Sequence, residues 1–167
     1  QLLLKTYHKK IPTILNHSEG NLVALLGYGK YTYEVSGEDW GDLPDGWSYQ
    51  EATAVAVDSK DNVYVYNRGG HGVIIFDCNG KFLRSWGEKI FTNPHGVTIS
   101  PDDTIFCVDS ADHTIRKFTL DGKLLMTLGV PGKPSVPMSG QPFNKPTHLA
   151  VDPRNSDLYV SDGYVNA

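Results

Sequence analysis

An all-β chain folded as a β-propeller of four-stranded blades is expected from three features of these 167 residues. A segment recurs along the chain, each full copy divides into four short alternating strands, and the turns between strands are rich in Asp, Asn and Gly. The copies are "TAVAVDSKDNVYVYNRGGHGVIIFDCNGKFLRSWG" from Thr53, "HGVTISPDDTIFCVDSADHTIRKFTLDGKLLMTLG" from His95 and "THLAVDPRNSDLYVSDGYVNA" from Thr147. The first two start 42 residues apart and the next two 52. Self-similarity at about 40 residues with four strands per unit is the pattern of propeller blades.

Taken in order, residues 1–20 match no pattern and are expected to be a tail. Its apolar cluster, Leu2 to Leu4 followed by Lys5, is too short for a signal-peptide core or a membrane span. "NHS" at Asn16 matches a glycosylation sequon, which matters only in a secreted chain. Residues 21–51 are expected to supply a closing strand, in "NLVALLGYGKYTYEV", that pairs with the last blade of a ring, and then a loop, "GEDWGDLPDGWSYQE". Residues 52–167 are the blades, two complete and a third truncated. In the first, strands are expected at about 53–58, 62–67, 72–77 and 81–86, separated by turns such as "SKDN" and "DCNG". The extra length before the third copy, Val130 to Lys145, is rich in Pro, Gly and Ser and is expected to be a surface loop. Trp40, Trp47 and Trp86 are expected to pack within blades.

Charge and cysteine usage narrow the function classes. Fifteen basic against 19 acidic residues give a net charge of -4 without a basic run, so nucleic acid is not an expected partner. Cys78 and Cys107 are far apart and form no CxxC pair, so neither a zinc ribbon nor a disulfide framework is signalled.

Blade geometry then selects a site. With strands a to d running from the innermost to the outermost, the start of strand a and the turn from b to c lie on one face, because successive strands are antiparallel. His95 stands at the start of a strand a. The b-to-c turns are "NRGGHG", "SADHT" and "SDGYVN" in the three copies. Arg68, His95 and Tyr164 are therefore expected together on the face near the central channel. His148 aligns with Gly96 rather than His95 and is expected to be structural. His71 and His113 share a repeat position, where a repeated hydrogen bond is the expected role.

"YNRGGH", "NPHG" and "PTHLAVDPRNSDLYVSDGY" resemble the NHL repeats of the peptidyl-α-hydroxyglycine α-amidating lyase family over about residues 50–167. That family consists of six-bladed propellers that cleave a peptidyl-α-hydroxyglycine into a peptide amide and glyoxylate. The resemblance implies a catalytic arginine at Arg68, a zinc-ligating histidine at His95 and a catalytic tyrosine at Tyr164, with the backbone carbonyls of Val55 and Val97 helping to hold a structural calcium. The family's other two zinc histidines belong to later blades, so residues 1–167 alone are expected to hold an incomplete zinc shell and to be inactive. Animal members carry a disulfide-bonded cysteine after the tyrosine, where Val165 stands here.

The residue types suit that chemistry. Catalytic zinc takes three protein ligands, often neutral imidazoles, and keeps a position open. A phenol whose pKa is lowered by a metal or a guanidinium can act as general base, and an arginine offers a planar fork to a carboxylate. The expected function is a carbon-nitrogen lyase acting on a small-molecule or peptide substrate, without membrane insertion. Its alternatives are a non-catalytic NHL propeller that binds protein or peptide, and another propeller enzyme such as a lactonase. An open array of blades leaves end faces and strand edges uncovered, so self-association is also expected.

Overall fold

The computed structural model describes residues 3–6, 25–36 and 40–166, and every regular element among them is a strand. The chain divides into two units, residues 1–40 and 41–167.

The first unit holds β1 (Leu3–Thr6), β2 (Leu25–Tyr28) and β3 (Tyr31–Ser36), antiparallel in the order β1-β3-β2. β2 and β3 are joined by a two-residue turn whose first position is Gly29, at a φ of 61°. That left-handed conformation is what such a hairpin asks of its glycine. Two strands thus stand where one closing strand was expected, they pair with each other, and the expected tail contributes a third.

In the second unit, β4 (Glu51–Val57), β5 (Val63–Arg68), β6 (Val73–Phe76) and β7 (Phe82–Trp86) form one antiparallel sheet in chain order. β8 (Pro94–Ile99), β9 (Thr104–Asp109), β10 (Thr114–Thr119) and β11 (Leu124–Leu128) form a second, and β12 (His148–Val151) with β13 (Leu158–Ser161) begins a third. These are the three repeats, with bounds close to those expected from the turns. The innermost strands β4, β8 and β12 lie side by side. Among the described residues no helix is long and apolar enough to cross a membrane.

Consecutive blades stack face to face, and the period-2 alternation of their strands supplies both faces. Tyr64 and Tyr66 of β5 meet Ile105 and Cys107 of β9 in one core, closed by Trp86 and Phe118. The alternate residues of β9, Phe106 and Val108, point the other way and meet Leu149 of β12 in a second core with Phe143. Side chains alternate across a strand, so each middle strand packs on two neighbours and needs apolar residues at successive positions. Trp86 also donates its indole N–H to the Leu120 carbonyl at 3.1 Å, which ties β7 to the second blade. Trp47 stacks on His71 and meets Phe82 edge-on, whereas Trp40 ends the first unit.

Blades two and three approach closely at Gly96. A Cβ there would stand 2.4 Å from His148 Nδ1, 2.5 Å from the Thr147 carbonyl oxygen and 2.9 Å from the His148 Cα. Two of those three atoms are backbone and cannot rotate away. Gly96→Ala is therefore expected to destabilise the protein by about 1–3 kcal/mol, the usual cost of overpacking. Urea unfolding measures it, and an unchanged midpoint would show that the two blades are not so tightly apposed.

Candidate functional site

His95 stands in an irregular stretch of β8. Between Pro94, which pairs with Asp109, and Val97, which pairs with Cys107, the register shifts, and the same shift occurs in the first blade between Ala52 and Ala54. Bulges re-aim side chains, and His95 is left half-exposed at the start of its strand.

The loop before it is fixed by a buried carboxylate. Asp109, at the end of β9, accepts hydrogen bonds from the backbone amides of Thr92, Asn93 and Asp112, at 2.5, 2.9 and 3.0 Å. Asp162 has the same repeat position in the third blade and accepts the Asn144 amide. Asp162 also accepts from the side chain of Asn166, at 2.7 Å. Asn166 in turn receives the Met138 amide and donates to the Gln141 carbonyl. The turn carrying Tyr164 is thus braced by hydrogen bonds to the loop at 138–144.

These supports bring His95 and Tyr164 together. The His95 Nε2 lies 3.0 Å from the Tyr164 hydroxyl, and the rings meet edge to face. Arg68, from the b-to-c turn of the first blade, donates from Nε to the carbonyl of Pro94 at 2.9 Å, and its Nη1 pairs with Glu51 at 2.5 Å. Three successive blades therefore each contribute one of the three residues to one short stretch of β8. Arg68 reaches this stretch through the Pro94 backbone, and among the described residues its side chain makes no hydrogen bond to His95 or Tyr164. Beside it opens a cleft of about 320 Å³ lined by Gln50, Glu51, Asn67, Arg68, Lys89 and Asn93, among others.

The remaining residues divide by environment. Val55 on β4 and Val97 on β8 share a repeat position on adjacent strands, with Val55 exposed and Val97 buried. No three His, Cys, Asp or Glu side chains among the described residues converge as metal ligands. Burial pushes the Cys107 thiol and the Tyr66 hydroxyl well above their usual ranges, which removes both from acid-base chemistry near neutrality. His71 and His113 do not repeat one hydrogen bond: His71 stacks on Trp47 and faces Glu88, whereas His113 accepts the Lys145 amide at 3.2 Å. The shared position gives them one backbone place, but different neighbouring loops give them different partners. His148 packs its ring against Gly96.

No family model matches the chain. It is 34% identical over 143 residues to peptidyl-alpha-hydroxyglycine alpha-amidating lyase 1 of Drosophila melanogaster, covering 69% of this chain and 26% of that protein. NHL repeat-containing protein 3 of Mus musculus is also 34% identical, over 119 residues, with 65% of this chain and 34% of that protein covered. The chain is an NHL-type propeller segment related to the amidating lyases. Peptidylglycine alpha-amidating monooxygenase of Rattus norvegicus is 30% identical over 146 residues, 70% of this chain and 14% of its own length. The NHL-type segment thus spans about a quarter of the fly lyase and about a third of the mouse NHL protein. A solved luciferin-regenerating enzyme superposes on it with a TM-score of 0.50 at 19% identity, over 68% of this chain and 38% of that one. At that identity the likeness concerns the fold alone.

Asp109 was not singled out by its sequence, although its recurrence as Asp162 was a visible signal. Asp109→Asn keeps the shape but turns an N–H₂ toward backbone donors. Urea unfolding is expected to show a loss of about 1–3 kcal/mol, the cost of buried donors left unsatisfied. A loss below about 0.5 kcal/mol would mean that the carboxylate does not fasten the loop.

Proposed function

We propose that this NHL-type segment belongs to a lyase of the amidating type, which cleaves a peptidyl-α-hydroxyglycine to a peptide amide and glyoxylate. The observation that carries this reading is the 3.0 Å contact between His95 Nε2 and the Tyr164 hydroxyl, beside an arginine tethered to Pro94. The relationship to the fly amidating lyase supports the same reading.

In this reading Tyr164, 64% exposed and so open to substrate, takes the proton of the substrate hydroxyl as general base. The electron pair left on oxygen forms the carbonyl of glyoxylate as the carbon-nitrogen bond breaks, and the departing amide nitrogen receives the proton back. Hydroxyl proton and amide proton balance, so no oxidant or water is consumed. Arg68 orients the carboxylate that leaves with glyoxylate, a task for which its planar fork is better shaped than an ammonium. The Pro94 carbonyl holds Nε of that fork at 2.9 Å.

Zinc and calcium are part of the proposal. His95 is a suitable zinc ligand by type and exposure, but it is one ligand where a catalytic shell takes three, and the described residues supply no cluster around it. Further ligands must come from outside those residues. When bound, the metal would make a substrate hydroxyl more acidic. The carbonyls of Val55 and Val97, on adjacent inner strands, are proposed to face a structural calcium in the channel.

The second reading is a propeller that binds protein or peptide without catalysis. Its support is that the identity to NHL repeat-containing protein 3 equals that to the fly lyase, so identity alone does not single out the lyase.

Two measurements separate the readings. In the protein that carries the activity, His95→Ala is expected to release zinc, and metal analysis finding equal zinc in variant and parent would remove His95 from the site. Tyr164→Phe is expected to lower kcat about a hundredfold with little change in KM, as loss of a general base does. Turnover within about threefold of the parent would take the base role from Tyr164, and absence of turnover in the parent protein would favour the binding module.

A further inference from the structure

Glu51 and Arg68 are partners across the β4–β5 ladder, at the mouth of the polar cleft between the first two blades. Their ion pair is half-open to solvent, with side-chain exposures of 56% and 30%. The guanidinium does not depend on Glu51 for its place, because Nε is held by the Pro94 carbonyl. Its Nη2 has no hydrogen-bond partner among the described residues.

The second blade supplies the comparison. At the positions that repeat Glu51 and Arg68 stand Asn93 and Ser110, joined by a neutral hydrogen bond of 2.8 Å. Closing this corner of a blade therefore requires no charge. The first blade differs again at the next position, where Asn67 replaces the Asp109 carboxylate. Asn67 borders the cleft, is 1% exposed, and its Oδ1 is buried without a partner. Lys89, also lining the cleft, makes no ion pair among the described residues. Where the second blade has a neutral pair and a fully bonded carboxylate, the first has two cations, one carboxylate and an unpaired amide oxygen around an open space.

We propose that Glu51 is a specificity-determining residue: its carboxylate occupies the place on Arg68 that a ligand carboxylate takes, and ligands bind by displacing it. The ligand class is an N-acylated small carboxylic acid, whose carboxylate goes to Arg68 and whose amide N–H lies on the side of Asn67. Glu51 thereby sets a threshold: a bare anion that merely replaces one carboxylate by another gains little, whereas a ligand with an amide and a carboxylate gains both contacts. This rests on the reading of Arg68 as the carboxylate-binding arginine, and it concerns binding rather than turnover.

The test is calorimetric binding of N-acetylglycine and of acetate to the 167-residue chain, without added metal. Glu51→Gln removes the competitor and is expected to tighten N-acetylglycine about three- to fivefold, the scale on which an exposed ion pair competes. In an Arg68→Gln background the same substitution is expected to do nothing, because there is no guanidinium to compete for. Glu88→Gln makes the same charge change on the first blade, at a carboxylate that faces His71, and is expected to leave the affinity unchanged. The proposal is overturned if Glu51→Gln has no effect, if it acts equally without Arg68, if Glu88→Gln tightens binding as much, if acetate binds as well as N-acetylglycine, or if neither acid binds any variant. Because no turnover is measured, failure of the lyase reading in the Tyr164→Phe assay leaves this result standing, and the reverse also holds.

Discussion

Face-to-face burial of successive blades is the constraint on which the rest of this structure depends. β9 shows it most directly, with Ile105 and Cys107 turned into one core and Phe106 and Val108 into the other. Burying a large apolar side chain contributes about 1.5–3 kcal/mol, and here each strand residue is spent on one of two neighbours. Such stacking leaves β4, β8 and β12 adjacent. It also places the b-to-c turn of one blade over the start of strand a in the next. Arg68 reaching Pro94 and His113 receiving the Lys145 amide are two instances of that stagger. The site is therefore assembled from the same interface that stabilises the fold, with Tyr164 returning from the third blade to His95.

Much of this was legible in the sequence, for identifiable reasons. The strands of the first two blades could be placed because alternation and Asp/Asn/Gly turns are local signals. Arg68, His95 and Tyr164 could be assigned to one face because antiparallel order alone decides which turns share it. Pairwise contacts were less accessible. Glu51 is 17 residues from Arg68 and carries no motif, and the Asn166 brace on the 138–144 loop depends on the path of a loop with no period. Equal repeat positions also misled where loops differ, as His71 and His113 show by taking unrelated partners. The segment at 21–51 read as one strand because a two-residue turn centred on Gly29 leaves little interruption in an apolar run.

The repeats carry a second kind of information, in the positions where they disagree. Asp109 and Asp162 perform the same task, fastening the stretch that leads into strand a. Asn67 in the first blade does not: its Nδ2 donates to the His71 carbonyl at 3.1 Å and its Oδ1 stays unpaired. A buried unpaired oxygen costs about 1–3 kcal/mol, so a purely structural repeat has a cheaper solution available two times over in the same chain. The neutral Asn93–Ser110 pair becomes Glu51–Arg68 at the same corner. Both departures fall around one cleft, and both exchange a satisfied arrangement for one with unmet polar capacity. In a repeat fold the blades act as internal controls for one another, and these two departures of the first blade fall together beside the residue that reaches the start of β8.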